Sequence, residues 1–114
     1  MTVFLDHCLP KRLRLFLLGH QVTTVREMRW EQIANGTLLS LVEEQFDVFL
    51  TIDKGIKYQQ NMTGRTIAVI ALRAVSNRVE DLIPLMPQFL ALLPTVEPGQ
   101  VYIIAAQDEA DAQT

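Results

Sequence analysis

The sequence predicts an α/β protein with a three-layer α/β/α fold and an open, mainly parallel sheet of about five strands. Three observations carry this expectation. Short apolar or β-branched runs alternate with stretches of helical periodicity along the whole chain. The run Ile67-Ala68-Val69-Ile70-Ala71-Leu72 is apolar at every position, as a parallel strand covered on both faces must be. The residues between runs carry turn and cap chemistry: Pro10, Gly19, Asn35, Ser76 or Asn77, and Pro98-Gly99.

Taken in order, Val3-Phe4-Leu5 reads as the first strand and ends in Asp6. Pro10 suits the first turn of a helix, and Leu13, Phe16 and Leu17 recur at helical spacing while Lys11, Arg12 and Arg14 form a basic outer face; Gly19 stops it. Gln21 to Val25 is a short β-branched strand, and Arg26 to Ala34 reads equally as loop or short helix. Asn35 is placed to cap a helix carrying Leu38, Leu39, Leu41 and Val42, and Phe46 to Ile52 is a buried strand ending at Asp53. The all-apolar run from Ile67 is expected at the middle of the sheet. A long final helix, capped by Ser76 or Asn77, runs to about Leu93 with Pro84 and Pro87 shortening its first turns or bending it, and Val101 to Ala105 is the last strand. Such an order implies right-handed crossovers with helices on both faces.

A length of 114 residues fits one domain, expected over residues 1–106, with a polar acidic tail over 107–114. Apolar residues make up 49% and charged residues 20%, which disfavours disordered and fibrous classes. No apolar run approaches the roughly 18 residues of a spanning helix, and no basic region precedes the first strand, so no membrane association and a cytoplasmic location are expected. The lone Cys8 forms no internal disulfide, which also suits a reducing compartment. The net charge of −3 argues against a dedicated duplex-DNA binder. The excess of acid belongs to the second half: residues 58–114 hold three basic and six acidic side chains, whereas residues 1–57 hold seven of each.

In open parallel sheets, ligand sites gather beyond the carboxyl ends of the strands. Asp6 and Asp53 both follow strands and are expected on that edge, where two carboxylates suffice for one hard divalent cation such as Mg2+. The alternative is that each caps the turn that follows it. Glu27, after the second strand, is the candidate third carboxylate; the alternative is an ion pair with Arg26 or Arg29. Glu43 and Glu44 lie roughly 12 Å further along their helix and read as a solvated face. Asn35 either offers an amide oxygen or caps its helix, and His7 either contacts a phosphate or sits in a surface turn. Cys8, without a base partner, reads as a small hydrophobe.

The succession Leu5-Asp6-His7-Cys8-Leu9-Pro10, Gly19-His20-Gln21-Val22, Val25-Arg26-Glu27-Met28 and Val48-Phe49-Leu50-Thr51-Ile52-Asp53 resembles the PIN-like proteins of the DUF5615 group. The resemblance covers roughly residues 3–73, and more loosely the rest. It implies a PIN-type α/β/α fold, Mg2+- or Mn2+-dependent ribonuclease activity, and membership of toxin–antitoxin pairs. Asp6 and Asp53 match the group's first acid and its strand-end acid. The chain departs from the group in three places. Asp6-His7-Cys8 stands where Asp-Glu-Asn is usual, Gly55 replaces an acid two positions after Asp53, and Ala34-Asn35-Gly36 replaces the acid that opens the second main helix. The missing carboxylates argue against a pair of ions.

Lys54-Gly55-Ile56-Lys57-Tyr58-Gln59-Gln60-Asn61 directly follows the strand-end acid. Lys54 and Lys57 suit phosphates, Tyr58 suits an unpaired base, and Gln59, Gln60 and Asn61 suit base edges, the pattern of single-stranded RNA recognition. The alternative is a short helical connection whose amides satisfy its own ends. Trp30 either covers the sheet or anchors a partner. The sequence thus points to a metal-dependent endoribonuclease of toxin type, acting on single-stranded or structured RNA through Asp6, Asp53 and Glu27. The alternative is a degenerate PIN-like domain serving as an RNA-binding or protein-interaction module. The final helix carries Leu82, Ile83, Leu85, Met86, Phe89, Leu90, Leu92 and Leu93, which suggests a surplus apolar face for a homodimer or an antitoxin protein; the alternative is that the prolines bend it into the core.

Overall fold

The computed structural model describes residues 1–52, Met62 and residues 64–105. Five strands, β1 (Thr2–Leu5), β2 (Gln21–Thr24), β3 (Val48–Ile52), β4 (Ala68–Arg73) and β5 (Val101–Ala105), form one all-parallel open sheet in the order β2-β1-β3-β4-β5. The all-apolar run becomes β4, an interior strand beside the central β3 rather than the centre itself. Val3 and Leu5 on β1, Val48 and Leu50 on β3, and Ile70 and Leu72 on β4 share one buried face, while Phe4, Phe49 and Val69 between them bury the other. Alternation along each strand therefore supplies two separate cores, which is why these strands are apolar over most of their length.

A 3-10 helix, Lys11–Phe16, covers the first face with Leu13 and Leu17. Phe16, expected to pack with them, is instead 40% exposed, because the two leucines four residues apart fill the core positions. Helices α1 (Val25–Met28) and α2 (Asn35–Gln45) cover the second face with Val25, Leu38, Leu39 and Val42. The second strand stops one residue early because Thr24-Val25-Arg26-Glu27 is a capping box: Thr24 Oγ1 accepts from the Glu27 amide at 3.2 Å, and Glu27 Oε1 accepts from the Thr24 amide at 2.9 Å. Asn35 is not the cap of its helix. Ala34 holds that position without a side-chain bond, and Asn35 is the first helical residue.

The expected long helix is broken into α3 (Val79–Leu82), a 3-10 turn Ile83–Leu85, α4 (Met86–Leu92) and a second turn Leu93–Thr95. Pro84, Pro87 and Pro94 each lie in the opening positions of a new segment, where a missing N–H costs least. The resulting bends bury Leu82, Leu85, Met86, Phe89 and Leu93 in the first core. Of the apolar face expected of this helix, Ile83, Leu90 and Leu92 remain half-buried.

One expectation of topology does not hold. The β1–β2 connection and the β4–β5 connection both lie on the first face, yet they step in opposite directions along the sheet. Two crossovers on one face that step in opposite directions have opposite hands, so they cannot both be right-handed. The reason is the placement of the broken 79–95 segment beside the 3-10 helix, where their leucines share one core. No helix of the described residues is long and apolar enough to cross a membrane.

Candidate functional site

The strand order reverses between β1 and β3: the chain leaves β1 toward β2 on one side and leaves β3 toward β4 on the other. The carboxyl end of that junction is where open α/β sheets hold ligands. Asp6 stands there. Its amide continues the ladder, donating to the Leu50 carbonyl at 2.9 Å, which directs the residue into the seam between β1 and β3.

Asp6 is only 7% exposed, and Thr51 beside it is fully buried. The Thr51 hydroxyl donates to Asp6 Oδ2 at 2.6 Å, the His7 amide donates to Asp6 Oδ1 at 2.8 Å, and the Cys8 thiol donates weakly to Oδ2 at 3.7 Å. The bond from His7 is the turn-capping role expected of a strand-end Asp, and the bond from Thr51 is additional to it. All three donors are neutral. Among the described residues no cation lies within ion-pairing distance of Asp6, an unusual condition for a carboxylate so withdrawn from water.

Two adjoining cavities open at this point. The larger, about 320 Å³, is walled by Asp6, His7, Leu9, Lys11, Thr24, Val25, Arg26, Glu27 and Glu31. The smaller, about 150 Å³, shares Asp6, His7, Val25 and Glu31 with it and adds Cys8, Trp30, Ile33 and Leu38. Asp6, Glu27 and His7 therefore do face one space. Glu27 is heavily engaged there, since Oε1 accepts from both the Arg14 guanidinium and the Thr24 amide. The Arg14 hydrogen bond, and after it the Thr24 amide, hold the Glu27 carboxyl below its ordinary range, with partial burial opposing them.

The partner of Glu27 is thus Arg14 of the 3-10 helix, not Arg26 or Arg29. Arg14 accordingly leaves the basic outer face on which its sequence position placed it, and its Nε is buried without a hydrogen-bond partner among the described residues. Arg26 and Lys11 both line the larger cavity, and the Glu43 carboxylate pairs with Arg65 at 3.3 Å, away from the site. Trp30 lies against Phe4, ring centroids 5.7 Å apart, and so covers the second face of β1. Asp53, Lys54, Lys57, Tyr58, Gln59, Gln60 and Asn61 lie outside the described residues, and of Asn35 only the helical position is described.

Lys11, Arg26, Glu31 and Thr51 escaped the sequence reading. Thr51 had a signal: it is the one hydroxyl in the otherwise apolar strand Val48-Phe49-Leu50-Thr51-Ile52. The capping box was equally legible in Thr24-Val25-Arg26-Glu27. No group of three or more His, Cys, Asp and Glu residues placed to hold a metal occurs among the described residues. A hydrated Mg2+ needs only one or two carboxylates, however, and Asp6 offers a hard oxygen site at the switch point with no cation in ion-pairing distance among the described residues. No protein-family model, curated protein or solved structure matches this chain.

Proposed function

We propose that this chain is a PIN-like endoribonuclease dependent on Mg2+ or Mn2+, of the kind that pairs with an antitoxin protein in a reducing cytoplasm. The observation that carries the reading is Asp6: a nearly buried carboxylate, held by three neutral donors, on the wall of a cavity that also presents Lys11 and Arg26. A carboxylate in this setting is short of positive charge, and a divalent ion with its water shell supplies it. The donor set fits one hydrated ion better than two, because Glu27 is committed to Arg14 and Thr24. Asp53, next in sequence after β3, is the second ligand of this proposal.

When bound, the ion polarises a phosphoryl oxygen and lowers the pKa of its water. The chain's own residues do the rest. Thr51 and the His7 amide fix the Asp6 carboxylate, and Lys11 and Arg26 meet the backbone phosphates of the strand. Lys54, Lys57, Tyr58, Gln59, Gln60 and Asn61 extend the RNA contact in this proposal.

The test is cleavage of single-stranded RNA in Mn2+ by the purified chain, with chelator and with Asp6→Asn as controls. Asparagine keeps the shape, and its amide group can donate to Thr51 Oγ1 while its oxygen accepts from His7. Activity is expected to vanish in both controls while the fold persists. Cleavage that survives chelation, or survives Asp6→Asn, places the chemistry elsewhere. The engagement of Glu27 favours a second reading, a catalytically degenerate module that binds RNA or protein. That reading predicts RNA binding without cleavage and no response to Mn2+.

A further inference from the structure

We infer that the smaller cavity is a nucleobase subsite selective for cytosine, with Trp30 as its wall and Glu31 as the acceptor of the exocyclic amino group. The inference rests on the reading of the larger cavity as the place where an RNA strand is held. The two cavities are contiguous through Asp6, His7, Val25 and Glu31, so a phosphate near Lys11 and Arg26 leaves its neighbouring base at the smaller space.

Size and lining then restrict the base. The smaller cavity, about 150 Å³, is of the size that holds a single six-membered ring, and it mixes apolar Val25, Trp30, Ile33 and Leu38 with polar Asp6, His7, Cys8 and Glu31, as a ring with polar edges requires. A pyrimidine fits that volume better than a purine does. Trp30, Ile33, Leu38 and Val25 supply apolar walls, and the half-buried indole, already packed against Phe4, is a stiff platform that loses little entropy on stacking. The indole N–H has no hydrogen-bond partner among the described residues, and in this inference it donates to a base carbonyl. Glu31 is exposed and forms no ion pair among the described residues. A carboxylate accepts from the cytosine amino group, whereas uracil turns a carbonyl oxygen toward it and is repelled.

Trp30 is the sole tryptophan, so its emission reports the subsite directly. The full chain in Mg2+ is titrated with CMP, UMP and ribose 5-phosphate. A saturable change in emission is expected with CMP at about one-tenth the concentration that UMP requires, and none with ribose 5-phosphate. In Glu31→Gln, whose amide accepts and donates alike, the preference for CMP over UMP is expected to fall to about one. Because Glu31 is exposed, this variant folds even if changes at Trp30 do not. Equal response to CMP and UMP, or a preference unaltered in Glu31→Gln, overturns the subsite. RNA cleavage without cytosine preference overturns it too while leaving the nuclease reading intact; selective CMP binding without cleavage removes the nuclease and keeps the subsite.

Discussion

Thr51 holds Asp6 by a single hydroxyl inside a strand that is otherwise apolar, and removing that hydroxyl exposes what it contributes. Thr51→Val keeps the shape but leaves Asp6 Oδ2 without its 2.6 Å donor. A loss of about 1–3 kcal/mol is expected from the urea midpoint, with Thr51→Ser restoring most of it. Metal affinity should weaken in parallel, because the carboxylate is then held only by the His7 amide and the weak Cys8 thiol contact. Glu27 responds to pH instead. Its folded pKa is depressed, so its stabilisation is present above the unfolded value near 4.3 and disappears as pH falls through the folded one. Glu27→Gln should therefore cost stability at neutral pH, by about 0.5–1 kcal/mol given the exposure of the pair, and the gap to the wild-type chain should close as pH falls through the depressed folded pKa. Thermal melts across pH read this, and a gap that widens on acidification contradicts it. The strand-end position of Asp6 and the edge on which Glu27 lies were legible from the sequence. The pairing of Glu27 with Arg14 was not, because it joins residues from elements whose relative placement only the folded sheet determines.

At the scale of elements, each strand core was legible because a doubly covered parallel sheet leaves no polar alternation to confuse with a helix. Element ends were less legible. Val25 satisfies strand and helix propensity alike, and the capping box, a two-bond device, decides for the helix. The prolines of the 79–95 segment signalled a bend, and the extent of burial that the bends achieve is a property of packing. Phe89, fully buried in α4, should cost about 3–5 kcal/mol as Phe89→Ala. Gly99 carries the turn into β5 at φ +79°, its amide donating to the Ile67 carbonyl at 3.0 Å, and a Cβ there would lie 2.7 Å from the Arg65 carbonyl oxygen. Gly99→Ala combines a left-handed backbone with a backbone clash, so a loss of about 1 kcal/mol or more is expected, whereas Gly19→Ala meets no neighbouring atom and should cost less.

Over the whole molecule, the order β2-β1-β3-β4-β5 turns a list of strands into a site, because it brings the ends of β1 and β3 together where the connections diverge. Periodicity predicts that helices cover both faces but carries no information on which face each takes, which is why the opposed hands of the β1–β2 and β4–β5 connections were not legible. The central claim is that the carboxylate at this junction holds a divalent ion. Crystals grown in millimolar Mn2+ and measured at the manganese edge test it most directly. The account predicts an anomalous peak about 2.1 Å from an Asp6 carboxylate oxygen, lost in Asp6→Asn crystals. Ordered density for Asp6 at full Mn2+ with no peak beside it would contradict the account.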